Sequence, residues 1–226
     1  MVVGNGMLAN VFHEYQFNEN KLIYASGVSS SLEDSDIEFN REKKLLKKML
    51  LENETKQFIY FSSCSLEDIS LRETPYHIHK LNMEKLIKRN SNNYLIFRIP
   101  NIIGKYGNDN NIINFLINKV ENDLRFSIWK NATRNIVDID DLYKIVSYIL
   151  NNTKLTNQVI NIAYNESIKI FDLIKAIEEF LNKKAVFDIE DKGIDMKIEN
   201  HIIKKVMLEL DIETPNTLEL IKKHKG

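Results

Sequence analysis

At 226 residues the chain is long enough for one large domain, or for a nucleotide-binding domain carrying a small substrate-binding appendix. Its 31 basic and 32 acidic residues leave a formal charge of -1, which excludes a basic nucleic-acid footprint; the single cysteine, Cys64, excludes an internal disulfide framework or a cysteine-built zinc site and suits a reducing cytoplasm. The chain opens directly on Met1-Val2-Val3 and no apolar stretch approaches the roughly 20 residues of a membrane span, so the expectation is a soluble cytoplasmic protein with neither membrane nor nucleic acid as a partner.

Short apolar runs alternate with helix-period stretches, the pattern of an α/β chain with a parallel sheet covered by helices. In chain order the pattern predicts a strand at Met1–Val3, a strand at Leu22–Ala25, a helix at Asp36–Leu51, a strand at Gln57–Phe61 and a helix at Tyr76–Arg89. There follow a strand at Tyr94–Ile99, a helix at Ile112–Val120, strands at Phe126–Ile128 and Val159–Ile162 with a helix at Asp140–Leu150 between them, and a helix at Phe171–Leu181. Most of the strands are continuous apolar runs, as expected of strands buried on both faces. After Lys184 a helical tail is predicted. Only 7 glycines occur, and Gly4, Gly6, Gly27, Gly104 and Gly107 all follow predicted strands, the ligand-binding ends of an open α/β sheet.

Val2-Val3-Gly4-Asn5-Gly6-Met7-Leu8-Ala9 sets Gly-x-Gly-x-x-Ala between a strand and a helix. That is the dinucleotide turn: Gly4 permits the tight bend, Gly6 lets backbone approach a pyrophosphate, Ala9 lets helix and strand pack closely, and the amides of Met7 and Leu8 face the anion. The alternative is an ordinary strand-to-helix turn that uses two glycines. No acidic residue ends a second strand about 20 residues on, so the usual ribose clamp is missing; Glu33 and Asp34 come later and read as a cap before the helix carrying Ile37.

Tyr76 and Lys80 stand four apart after Pro75, on one face of a helix whose first turn the proline suits. An ammonium there favours ionisation of the phenol, making it a competent acid or base, although with nine tyrosines about one such pair is expected by chance. Independent support comes from Phe58-Ile59-Tyr60-Phe61-Ser62-Ser63-Cys64, an apolar strand that ends in two hydroxyls one element earlier. A serine hydroxyl at a strand end can share a hydrogen bond with Tyr76 and a substrate oxygen. It can equally cap or turn the chain.

At these residues the chain resembles the extended short-chain dehydrogenase/reductases, the NAD-dependent epimerase/dehydratase group typified by UDP-galactose 4-epimerase. The resemblance continues through Arg98-Ile99-Pro100-Asn101-Ile102-Ile103-Gly104, Arg134-Asn135-Ile136-Val137-Asp138-Ile139-Asp140-Asp141-Leu142 and Asn161-Ile162-Ala163, in the family's order. It implies a shortened Rossmann-like doubly wound parallel sheet in a single NAD(P)-binding domain over residues 1–226, with about 105–135 and 165–226 forming a small C-terminal substrate lobe. It also implies NAD or NADP as cofactor, a nucleotide-sugar substrate, and a possible homodimer through the helix of Tyr76–Arg89. Catalysis would fall to Ser63, Tyr76 and Lys80. The cofactor would be held by Gly4, Asn5, Gly6, Met7, Leu8, Ala25, Ser26, Gly27, Phe61, Ser62, Tyr76, Lys80 and Pro100, and the substrate by Ser63, Cys64, Asn101 and Arg134. Arg134 matches the arginine that relatives set on a nucleotide diphosphate, a task suited to a guanidinium fork; a salt bridge to Asp138 is the alternative.

Ala25-Ser26-Gly27 resembles the end of the family's fourth strand, so strands two and three are expected to be deleted, together with the part of the sheet that holds adenine and its ribose. The resemblance implies reversible hydride transfer at a sugar carbon, by reduction, oxidation or epimerisation. The absence of an Asp-Glu pair after Ser63 argues against a 4,6-dehydratase. The rival reading is a catalytically idle protein that binds cofactor or nucleotide sugar. No metal is expected: His77 and His79 fall on opposite sides of their helix and read as surface or supporting residues. Cys64 reads as a buried packing residue rather than a reactive thiol, and Lys43, Lys44, Lys47 and Lys48 as a solvated helix face.

Overall fold

Runs apolar on both faces form the centre of the sheet, and polar or single-faced stretches form its cover. The computed structural model describes residues 1–105 and 111–226. In chain order it contains β1 (Val2–Val3), α1 (Met7–Val11), β2 (Lys21–Tyr24), α2 (Asp36–Glu52), β3 (Gln57–Ser63), α3 (Pro75–Asn90), β4 (Tyr94–Ile99), β5 (Asn101–Ile103) and α4 (Ile112–Glu121). These are followed by β6 (Phe126–Trp129), β7 (Thr133–Arg134), β8 (Ile136–Asp138), α5 (Ile139–Asn152), β9 (Gln158–Asn161), β10 (Ile168–Lys169), α6 (Ile170–Leu181), β11 (Phe187–Glu190), α7 (His201–Glu209) and α8 (Thr217–Lys225). Gly107 lies outside the described residues. No helix among those described is long and apolar enough to cross a membrane.

The chain divides into two units, the first made of Met1–Ile99 with Tyr143–Ile162 and the second of Pro100–Leu142 with Ala163–Gly226. In the first, five strands pair in parallel in the order β1-β2-β3-β4-β9. β2 pairs directly with β1, Val2 beside Ile23, and β1 stands at the edge of the sheet. The expected loss of two strands is therefore seen as a direct return of the chain, through one short helix and a 3-10 turn at His13–Phe17. Leu22, Tyr24, Phe58, Tyr60 and Ile96 form one buried face with Leu46 and Leu50 of α2 and Met83 and Ile87 of α3. On the other, Phe12 stacks on Phe61 and meets the ring of Tyr143 on α5.

Helix α3 starts where local chemistry directs: Thr74 accepts the His77 N–H as cap, Pro75 opens the first turn, and Lys88 and Arg89 close the last. For α2 the cap is Ser35 rather than the expected Glu33 or Asp34; Glu33, two residues before the cap position, accepts the Ser35 N–H at 3.0 Å and none from the helix itself.

The second unit holds three small two-stranded pairings, β5 with β8, β6 with β11 and β7 with β10. Its core gathers Ile103, Leu116, Phe126, Ile128, Leu173, Ile177 and Ile221, among others, from α4, α6, α8 and the strands. One expectation is corrected here. The strand at Phe126 pairs with β11, and the tail after Lys184 is not purely helical, since Phe187–Glu190 forms that partner strand.

Candidate functional site

The Gly4 turn is built for close approach. Gly4 has φ +134°, and a Cβ there would stand 2.4 Å from the Ala25 carbonyl oxygen, so β1 and the end of β2 can converge only around glycine. Gly6 caps α1 without any side-chain hydrogen bond. A Cβ at Gly6 would meet nothing within 4 Å, so the backbone of Gly6 can be approached closely, and Met7 and Leu8 follow it as the first helical residues, whose N–H groups have no acceptor within the helix. Ala9 is buried behind them and Asn5 is exposed. This cradle suits an anionic group such as a pyrophosphate.

At the next strand end, the Arg41 guanidinium donates to the Ser26 carbonyl at 3.2 Å and to its hydroxyl at 3.3 Å, bracing Ala25-Ser26-Gly27. At the end of β3 the side chains diverge. Phe61 turns into the core, and the Ser62 hydroxyl donates to Glu84 at 2.7 Å. The Ser63 hydroxyl lies 2.8 Å from that of Ser65 and accepts the Ser65 N–H at 3.1 Å, capping the turn at Cys64–Glu67. Cys64 is enclosed, its thiol directed to the carbonyl oxygens of Arg98 and Ile162. Burial pushes that thiol well above its ordinary range, so it is inert and faces no open substrate site. Arg98 grips Glu84 through two nitrogens at 2.8 and 2.9 Å and reaches Glu67 at 2.7 Å, fixing α3 to β4.

Tyr76 stands in the first turn of α3, nearly buried, and Lys80 follows one turn later with its ammonium 5.9 Å from the Tyr76 ring centroid. The pair is thus brought together, but Lys80 has further partners. Its Nζ donates to the Tyr60 hydroxyl at 3.0 Å and to Glu42 at 3.4 Å. Glu42 also accepts from Tyr60 Oη at 2.6 Å, Val28 N–H at 2.6 Å and His79 Nε2 at 2.9 Å. Burial alone would raise the Glu42 carboxyl, but Lys80, His79, Tyr60 and the Val28 amide together pull it down to about 2. Burial and the Glu42 charge push the Tyr60 phenol well up, so it stays neutral and relays hydrogen bonds.

Sequence reasoning singled out neither Glu42 nor Tyr60, yet a signal was present, because Glu42 shares a stripe with Leu46 and Leu50 at intervals of four. A carboxylate on an apolar stripe demands partners. Of the two readings open for the histidines, surface or supporting, burial leaves the supporting one. His77 is buried with Nδ1 against the Leu71 carbonyl and Nε2 2.7 Å from that of Ser65, while His79 faces Glu42 and stacks on Phe39.

In the second unit, Pro100 leads into β5, where the Asn101 N–H and amide both donate to the Asn135 carbonyl, at 3.2 and 3.3 Å. That brings Asn101 beside the residue following Arg134, whose guanidinium donates to the Thr133 carbonyl at 2.7 Å. The buried Asn135 amide ties this corner to the Tyr164 and Glu166 carbonyls. Asp138 is engaged by Lys223 and His224 of α8. Asp138, Asp140 and His224 could in principle ligate a metal, but the Lys223 ammonium already bridges the two carboxylates at 2.7 and 2.6 Å.

A family model described as the NAD dependent epimerase/dehydratase family matches residues 22–163. The chain belongs to that family. The match begins beyond the Gly4 turn, so that turn stands on its own geometry. Among solved structures, the fold is similar to that of the Thermus thermophilus UDP-glucose 4-epimerase in complex with NAD, at 14% identity, covering 96% of this chain and 80% of that one, with a TM-score of 0.68. It is also similar to the Bacillus cereus UDP-glucuronic acid 4-epimerase in complex with UDP-glucuronic acid and NAD, at 18% identity over 97% and 77% of the two chains, TM-score 0.69. A third, RMD from Pseudomonas aeruginosa complexed with NADPH, is 16% identical over 91% and 79%, TM-score 0.67. At these identities the likeness is one of fold. No curated protein matches the sequence.

Proposed function

We propose that the protein is an NAD(P)-dependent oxidoreductase or epimerase of nucleotide-linked sugars, with Tyr76 as the acid/base and Ser63 and Lys80 as its partners. The observation that carries this reading is the pairing of Tyr76 and Lys80 at the start of α3, with the ammonium 5.9 Å from the ring, in a member of the NAD-dependent epimerase/dehydratase family. The Gly4–Ala9 turn, with Asn5, Gly6, Met7 and Leu8, would hold the dinucleotide pyrophosphate. Ala25, Ser26, Gly27, Phe61, Ser62 and Pro100 would flank the rest, and Lys80 would bind a ribose hydroxyl. A bound dinucleotide supplies a hydride donor or acceptor for a sugar carbon. Tyr76 moves the proton at its phenol oxygen, and Ser63 hydrogen-bonds the substrate oxygen. Asn101 and Arg134 would take the nucleotide diphosphate.

The test is Tyr76→Phe, which keeps the ring and removes the proton-transfer group. Turnover on a panel of UDP- and dTDP-linked sugars is expected to fall by about 10²–10⁴, with NADH affinity held within about twofold. Equal turnover of variant and parent overturns the assignment. A second reading, a binding protein without turnover, is favoured by one feature: the Ser63 hydroxyl and the Lys80 ammonium are both engaged within the protein. Calorimetric titration with NADH, NADPH and UDP, paired with the turnover panel, separates the two readings. With no acidic clamp for a free 2'-hydroxyl, NAD(H) and NADP(H) affinities are expected within about tenfold of each other, roughly 1.4 kcal/mol.

A further inference from the structure

Glu42 is fully enclosed on the apolar stripe of α2 and accepts four hydrogen bonds, from the Val28 amide, Tyr60, His79 and Lys80. We propose that Glu42 is the positioning residue of this site: its carboxylate anchors the Lys80 ammonium beside Tyr60 and leaves one of its donors for a cofactor ribose hydroxyl. The inference rests on the reading of Lys80 as the ribose-binding residue.

Donor arithmetic supports it. A lysine ammonium has three protons; here Glu42 takes one and Tyr60 another, which fixes the direction of the third. Charge supports it too, since an ammonium buried without a counter-charge gives up its proton more readily. No other carboxylate bonds Lys80 among the described residues. Arg41, on α2, is turned to Glu38 and Ser26. Tyr24, on β2, donates to the Glu42 backbone carbonyl at 3.2 Å, and Tyr60 comes from β3. On α3, His77 is directed to the Ser65 and Leu71 carbonyls, Tyr76 offers its ring to Lys80, and His79 donates to Glu42. The wall opposite is Gly27, where a Cβ would come within 2.8 Å of Lys80 Nζ and 3.1 Å of a Glu42 oxygen.

The experiment is titration of the full chain with NADH at about pH 6 and about pH 9, for the parent, Glu42→Gln, Lys80→Met and the double variant. Lys80→Met is expected to weaken NADH binding about tenfold at both pH values, as loss of one charged hydrogen bond does. Glu42→Gln is expected to approach that loss at the higher pH and to keep most of its affinity at the lower, where the unanchored lysine is protonated; the parent changes little. The double variant is expected to bind no more weakly than Lys80→Met, because Glu42 acts through Lys80. Losses that add in the double variant, or a Glu42→Gln protein with parental affinity at both pH values, overturn the proposal. Should Lys80→Met bind as the parent does, the ribose reading itself fails and takes this inference with it. A coupling failure with Lys80→Met still weakened removes the inference alone. If Glu42→Gln does not fold, Glu42→Asp draws the charge back by one methylene, with about a threefold loss expected that vanishes on the Lys80→Met background; an additive loss there overturns the proposal equally.

Discussion

Each unit sets a buried carboxylate against a lysine, and the two clusters differ in how far water is excluded. In the first, Glu42 and Lys80 are 0% and 3% exposed, with every partner drawn from the protein. In the second, Asp138 accepts three hydrogen bonds against the four of Glu42, from Lys223 at 2.7 Å, His224 at 3.0 Å and the Asp140 N–H at 2.9 Å. There, however, Lys223 is 48% and Asp140 51% exposed. The lesson is that partner count does not set the stakes. Where both ions are enclosed, removing one strands the other in a low-dielectric interior; where one is half in water, solvent takes over the lost contact.

The largest expected effect tests that contrast directly. Glu42→Ala should cost about 3–5 kcal/mol in denaturant unfolding, since Lys80 is left buried and uncompensated; a cost below about 1 kcal/mol would remove the distinction between the clusters. Acid supplies a second approach. The Glu42 carboxyl is held at about 2 in the folded protein, below its ordinary 4.5, so its contribution is complete above about pH 4.5 and is lost as pH falls toward 2. The parent should therefore lose on the order of 2–3 kcal/mol more than Glu42→Gln over that window, and parallel stability curves would contradict the pairing.

Gly27→Ala is expected to cost about 1–2 kcal/mol, because the new Cβ presses on Lys80 Nζ at 2.8 Å in a packed interior. A fully stable variant, read from its melting curve, would show that the cluster can yield. Smallest is Lys223→Ala in the second unit, expected at under about 1 kcal/mol because His224 and the Asp140 N–H still satisfy Asp138. A larger loss would mean that the half-exposed cluster is as sensitive as the enclosed one.

Much of the fold was legible. The Tyr94–Ile99 strand has the predicted ends, and Thr74-Pro75 marks the start of α3. The elements missed were short: β5, β7, β8 and β10 have two or three residues, too few for any periodicity to register. β11 escaped because Phe187 and Ile189 alternate with Asp188 and Glu190 beside a polar segment, so it reads as tail. The histidines teach a different point. Spacing correctly put His77 and His79 on opposite sides of α3, but both sides are covered, one by the turns around Ser65 and Leu71 and the other by Glu42 and Phe39 of α2.

By itself the sequence determined the α/β order, the glycine turn, the adjacency of Tyr76 and Lys80 and the direct step from β1 to β2, because each depends on residues near in the chain or on a hydrophobic period. Only the tertiary structure decided what Lys80 bonds to. Glu42 lies 38 residues away on another helix, and a buried charge selects its partner by proximity in space, where the cost of leaving it unpaired is greatest.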